Sequence, residues 1–110
     1  MEKISDLQEF NSVLSSASRH DQMVIAMFSS SWCGPCKSIT PKVEHLAEKE
    51  GKRARFVKVD IDKAADVCDE HPVEALPTFR CYVKRKLVGE VVGANYDGLK
   101  DLVRKNRVEE

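Results

Sequence analysis

The stretch Met23-Val24-Ile25-Ala26-Met27-Phe28-Ser29-Ser30-Ser31-Trp32-Cys33-Gly34-Pro35-Cys36-Lys37 decides how this chain is read. Its first six residues form a continuous apolar run. Such a run is far too short to span a bilayer and fits a strand buried on both faces. Three serines follow, then a cysteine pair separated by Gly34 and Pro35. Beyond the pair, Ile39, Val43, Leu46 and Ala47 recur at helical spacing, and Gly51 is a natural stop. A buried strand therefore runs into a helix, with both cysteines at the junction. Pro35 suits a first helical turn, where its missing donor is not needed, whereas Pro41 lies inside the helix and should kink it.

Toward the N-terminus, Ile4 marks a short extended start. Ser5 and Gln8 read as a capping box, and Leu7, Phe10, Leu14 and Ala17 line one face of a first helix. The polar run 15–22 breaks it. Toward the C-terminus, Arg55–Ile61 is a strand rich in branched and aromatic residues, and Lys63–Glu70 forms a short helix ending before Pro72. Thr78–Val83 and Leu87–Val92 are close enough in sequence to form a hairpin. Asn95 caps a last helix carrying Leu99, Leu102 and Val103, and the polar tail from Asn106 is expected to fray. The order β-α-β-α-β-α-β-β-α demands parallel strands with helical crossovers first and an antiparallel pair last. The expected fold class is α/β: a mixed central sheet of about five strands flanked by four helices, in one domain over residues 1–110.

Composition bounds the function. Eighteen basic residues balance eighteen acidic ones, so no long-range field points to nucleic acid or an anionic membrane. The Met1-Glu2-Lys3 start shows no hydrophobic signal core, which leads to the expectation of a reducing, cytoplasmic setting. In such a setting four cysteines do not imply two structural disulfides, and a Cys-x-x-Cys pair points to redox or metal chemistry. Zinc normally takes four ligands. Cys68 and Cys81 lie thirteen apart, on a helix and a strand, with His71 three after Cys68, a poor arrangement for a second ligand pair. No metal is expected.

The redox reading has a direct physical basis. The thiolate is the nucleophile, and the free amides and dipole of a helix N-terminus stabilise an anion. Cys33 sits at the start of the helix and Cys36 one turn in. Cys33 is thus the candidate nucleophile that forms a mixed disulfide with a target. Cys36 is the resolving thiol that releases the reduced target and closes the Cys33–Cys36 disulfide.

Trp32-Cys33-Gly34-Pro35-Cys36-Lys37 resembles the active-site motif of the thioredoxin family. Pro41, Asp60-Ile61-Asp62, Leu76-Pro77-Thr78 and Val92-Gly93-Ala94 match that family in order and spacing, so the resemblance covers almost the whole chain. It implies a thioredoxin fold and a protein-disulfide reductase or electron carrier that needs no bound cofactor. It further implies recharging by a thioredoxin reductase-like, NADPH-dependent enzyme, disulfide-containing target proteins as partners, and a monomer. The resemblance makes the Leu76–Pro77 peptide cis and places Pro77 beside the cysteines. Trp32, Gly34, Pro35, Ala75, Leu76, Gly93 and Ala94 should then form a small apolar docking surface, with the Leu76 backbone presented to an extended target. Two rivals stand beside this reading: a binding or assembly module with incidental cysteines, and an oxidase or isomerase of an oxidising compartment.

Two departures from the family pattern stand out. Thioredoxins usually carry a buried aspartate six residues before the first cysteine, and here that position is Met27. A neighbouring anion disfavours a thiolate, so its absence should lower the Cys33 pKa and make the pair less reducing. Lys58 matches a position that faces this aspartate. Without that partner its stem is expected on Met27, with the ammonium toward solvent or the cysteines. Met27 and Lys58, with Gly34 and Pro35, are therefore the candidate modulating residues. The second departure is Lys84-Arg85-Lys86 in place of a glycine-containing hairpin turn, which predicts a longer loop or mild strain. Cys81 reads as an inert buried thiol and Cys68 as partly buried and unreactive. His20 and His45 read as surface residues and His71 as loop packing.

Overall fold

The structure is a computed structural model that describes residues 1–107. Its elements run β1 (Glu2–Ile4), α1 (Leu7–Arg19), β2 (Met23–Ser29), α2 (Gly34–Glu50), a short 3-10 turn (Gly51–Arg53), β3 (Ala54–Asp60), α3 (Ala65–Glu70), β4 (Thr78–Val83), β5 (Lys86–Val92) and α4 (Tyr96–Lys105). The five strands form one sheet in the order β1-β3-β2-β4-β5. β1, β3 and β2 are parallel, and β4 and β5 are antiparallel additions. The expected mixed sheet with four helices is what the chain builds.

The continuous apolar run of β2 is explained by its central place, since all seven of its residues are buried. Met23, Ile25 and Met27 face one layer, with Ile39 and Val43 of α2 and Leu99 of α4. Val24, Ala26 and Phe28 face the other, with Phe10 and Leu14 of α1 and Val67 of α3. Each large side chain withdrawn from water in this way contributes about 1.5–3 kcal/mol before entropy is counted. α4 comes close to the edge strand at Gly89, where an added Cβ would stand 2.5 Å from Leu102 Cδ1.

Local details correct parts of the sequence reading. α1 is capped by Asp6, not Ser5: the Asp6 carboxylate accepts the Glu9 N–H at 2.8 Å, and Glu9 Oε1 accepts the Ser5 N–H at 3.2 Å. The cap moves by one residue, because an ionised carboxylate caps as well as a hydroxyl, and Glu9 reaches back past the cap to the residue before it, so the reciprocal bond of a capping box is not made. Asp66 of α3 adds a cap from outside, accepting the Leu7 N–H at 2.9 Å and tying α3 to α1. The third helix begins at Ala65, two residues later than predicted. α2 runs through Pro41 to Glu50 and ends at Gly51 (φ 57°), a left-handed φ that suits glycine.

The hairpin uses a two-residue turn, not a longer loop. Lys84 (φ 52°) and Arg85 (φ 67°) both take positive φ without glycine, so the strained alternative is realised. The tail is also more ordered than expected. Asn106 Nδ2 donates to the Leu102 carbonyl, and Arg107 forms a two-point ion pair with Glu50, whose side chain is 2% exposed. Residues 108–110 of the predicted frayed tail lie outside the described residues.

Candidate active site at the start of the second helix

Cys33 is the N-cap of α2, with extended backbone angles (φ −88°, ψ 106°) and a side chain that turns back onto the helix. Its Sγ accepts the Cys36 backbone N–H at 3.2 Å, and Pro35 occupies the first turn. Cys33 and Cys36 are joined in a disulfide with their Cα atoms 5.3 Å apart. The strand-to-helix junction read from the sequence therefore places a sulfur where the helix would otherwise leave an amide unsatisfied. When the bond is opened, that N–H and the helix dipole act on a thiolate at Cys33.

The two sulfurs differ in surroundings. Cys36 packs into the core beside Met27, Ile39 and Phe79. Cys33 lines a shallow surface groove of about 480 Å³ together with Trp32, Gly34, Pro35, Ala75 and Leu76. Trp32 is 68% exposed, and its Nε1–H donates to Asp62 at 2.9 Å. An added Cβ at Gly34 would meet nothing within 4 Å, so that side of the groove is open. The Leu76–Pro77 peptide is cis, the Thr78 hydroxyl donates to the Ala75 carbonyl at 2.7 Å, and the Gly93 N–H donates to the Pro77 carbonyl at 2.7 Å.

Five of the seven residues foreseen for docking thus meet in the groove. Gly93 and Ala94 do not line it, and Gly93 instead braces Pro77 through its backbone. Ile61, Val73 and Glu74 line it although the sequence reading missed them. Val73 carried a usable signal, as an apolar residue in the same loop as Ala75 and Leu76. Glu74 carried none.

Met27 is fully buried within the core cluster that holds both cysteines, and it is in register with Lys58 on β3. Lys58 does not line the docking groove. It borders a separate cavity that also includes Lys37. Among the described residues no group of three or more His, Cys, Asp or Glu side chains is arranged to hold a metal ion. Cys81 is buried, and desolvation pushes its thiol pKa up to about 12. Cys68 is half-buried, and its pKa is raised first by burial and then by Asp69. His20 and His45 are exposed, whereas His71 stacks edge-on against Phe10 and Tyr82.

A sulfur that caps a helix and borders a surface groove, bonded to a partner one turn inside, is the arrangement of a dithiol carrier. The family model for thioredoxin matches residues 2–105. The chain belongs to the thioredoxin family. It is 40% identical to thioredoxin of Coprinus comatus over 104 residues, 94% of each chain. It is 35% identical to thioredoxin-1 of Schizosaccharomyces pombe over 106 residues, covering 96% of this chain and 98% of that one. The crystal structure of Fasciola hepatica thioredoxin superposes with a TM-score of 0.92 at 28% identity, covering 97% of this chain and all of that one. As a thioredoxin-family thiol–disulfide oxidoreductase, the chain exchanges its dithiol and disulfide with disulfide-containing proteins.

Proposed function

We propose that the chain reduces protein disulfides with Cys33 as nucleophile and Cys36 as resolving thiol. The observation that carries these roles is the Cys36 N–H directed at Cys33 Sγ, with Cys33 alone of the pair lining the groove. The Cys33 thiolate attacks one sulfur of a target disulfide; the other target sulfur leaves as a thiolate and takes up a proton. The Cys36 thiolate, its proton lost to solvent, then attacks Cys33 Sγ. The second target thiol is released and the Cys33–Cys36 bond closes, so two electrons pass to the target.

Trp32, Gly34, Pro35, Ala75 and Leu76 receive the target segment, and Pro77 with Gly93 and Ala94 supports the rim. In this reading no cofactor is bound. Reducing equivalents come from a thioredoxin reductase-like enzyme that draws on NADPH, and the chain works as a monomer in the cytoplasm. The family relationship supports the reductase, and the free thiols of Cys68 and Cys81 suit a reducing compartment.

Two single variants test the roles. Cys36→Ser should accumulate a mixed disulfide with a disulfide-bonded protein substrate, whereas Cys33→Ser should lose turnover and trap nothing. Trapping through Cys36 in the Cys33→Ser variant, or undiminished turnover there, overturns the assignment. A redox titration against glutathione checks the direction of electron flow, since an oxidant equilibrates at a much higher potential than a reductant.

A further inference from the structure

Lys3 on β1 and Lys58 on β3 are register partners in a parallel pair, and Lys58 is in turn the partner of Met27 on β2. The three side chains stand in one row across the same face of the sheet. Like charges side by side on neighbouring strands repel. Met27 supplies no charge to offset them, and neither lysine has an ion-pair partner among the described residues. Lys37 from α2 and Lys63 from the segment after β3 border the same cavity, of about 400 Å³, without an ion-pair partner among those residues either. Asp60 is the one acidic residue lining it, and its Oδ1 accepts the Asp62 N–H. Four ammonium groups against one carboxylate make a local excess of positive charge in a chain whose formal net charge is zero.

A second, independent observation concerns the floor of this cavity. Ser29 and Ser30 line it and are only 1% and 5% exposed, yet their hydroxyls have no hydrogen-bond partner among the described residues. A buried hydroxyl left unpaired costs about 1–3 kcal/mol, so such groups ordinarily have a partner. Two hydroxyls without acceptors, on residues bordering a cavity where four ammonium groups meet one carboxylate, are complementary to an oxyanion.

The topology agrees. Ile4, Asp60 and Ser29, at the carboxyl ends of the three parallel strands, all border the cavity. The chain leaves β3 toward the layer of α3 and leaves β2 toward the layer of α2, on opposite faces. That divergence opens the crevice in which open α/β sheets bind ligands.

We propose that this cavity binds a small phosphate-bearing anion, held by Lys3, Lys37, Lys58 and Lys63 and hydrogen-bonded by the Ser29 and Ser30 hydroxyls. The phosphate accepts from the serines and offsets the Lys3–Lys58 repulsion. The cavity is roomy enough for a phosphomonoester as well as for the free ion, within the size of ordinary ligand sites.

The test uses the oxidised full chain, so it is independent of the cysteine roles and of any turnover. Inorganic phosphate and ribose 5-phosphate are titrated separately into labelled protein at low ionic strength, with sodium chloride at matched ionic strength as the reference. Backbone amide shifts are followed by NMR. Saturable shifts centred on residues 29–31, 37 and 58 are expected with at least one probe, and the tighter of the two identifies the free ion or the ester as the source. Loss of one charged contact corresponds to about tenfold in affinity. Lys3→Gln and Lys58→Met should each weaken binding by about that factor, and Ser30→Ala should weaken it without a change of charge. Lys86→Gln, on the hairpin, should leave it unchanged. Because Lys3 is exposed, its variant retains the fold even if a Lys58 variant does not. Shifts that sodium chloride reproduces, or equal affinity in the Lys3, Ser30 and Lys86 variants, overturn the proposal.

Discussion

The Trp32 indole N–H donates to the Asp62 carboxylate at 2.9 Å, joining the exposed rim of the cysteine groove to the turn after β3. A ring that is 68% exposed would otherwise sample several rotamers, and each encounter with a target would have to freeze it. The charge-assisted bond orders the ring beforehand. Asp62→Ala should therefore lower kcat/KM on a disulfide-bonded protein by about fivefold, close to 1 kcal/mol. Reduction of a small disulfide that does not use the rim should change little. Equal losses on both substrates would show that the bond serves the sulfurs and not docking.

Met27 shares the core cluster of both cysteines and has no exposure. Met27→Asp places a carboxyl there at a cost of about 2–4 kcal/mol in stability. Its charge should raise the Cys33 thiolate pKa and shift the ascending limb of the pH–rate profile to higher pH. The profiles of wild type, Met27→Asp and Lys58→Met are compared with one substrate. Three superimposable curves would remove positions 27 and 58 from the redox chemistry.

The thiols outside the pair should be told apart by alkylation of the reduced protein at neutral pH. Cys33 reacts first, Cys68 slowly, and Cys81 only after unfolding, because burial holds Cys81 protonated up to about 12. The same shift has a stability consequence. A folded pKa of about 12 against an ordinary 9.0 means the unfolded chain loses its proton first. The contribution is therefore intact below pH 9 and drains away as pH rises toward 12. Cys81→Val should flatten that alkaline decline, measured by denaturant midpoints. Modification of Cys81 as fast as Cys68 would contradict its burial.

His71 moves in the acid direction. Burial lowers its pKa below 6.5, helped by Arg80, while Glu70 opposes. The unfolded chain then binds the proton more readily. The stability contribution is full above pH 6.5 and is lost as pH falls from there through the lowered folded value. His71→Phe, which keeps a ring against Phe10 and Tyr82, should reduce the slope of stability against pH below 6.5. An unchanged slope would assign the acid sensitivity to carboxylates instead.

Lys84 and Arg85 both hold a left-handed backbone, which costs non-glycine residues about 1–2 kcal/mol each. The double variant Lys84→Asn with Arg85→Gly should recover on the order of 1–2 kcal/mol, a rise of about 4–8 °C in Tm for each kcal/mol. Turnover should not change, since the hairpin tip borders no part of the groove. A fall in Tm would mean that the basic side chains contribute more than the strain costs.

The parts of this molecule legible in the sequence are those fixed by periodicity and local chemistry. The run 23–28, the glycine at 51 and the asparagine at 95 each state a short-range requirement, and each is met where it was read. The Asp6–Glu9 cap was displaced by one residue because Ser5 and Asp6 both satisfy the same rule and only the backbone chooses between them. What escaped reading depends on distant partners. Asp66 capping Leu7 spans 59 positions, and Glu74 joins the groove only because its loop folds past Trp32. The row of Lys3, Lys58 and Met27 is likewise invisible until the register is known.

Arg107 has a consequence for anyone shortening this chain. It is the ion-pair partner of Glu50, which is sealed at the rear of the same helix that carries the sulfurs at its front. Cutting the chain back to the end of α4 would strand that acid without its counterweight, and a stranded buried charge costs far more than the pair contributes. Arg107, just past the last helix and dispensable on paper, is the peg that holds the back of the redox helix.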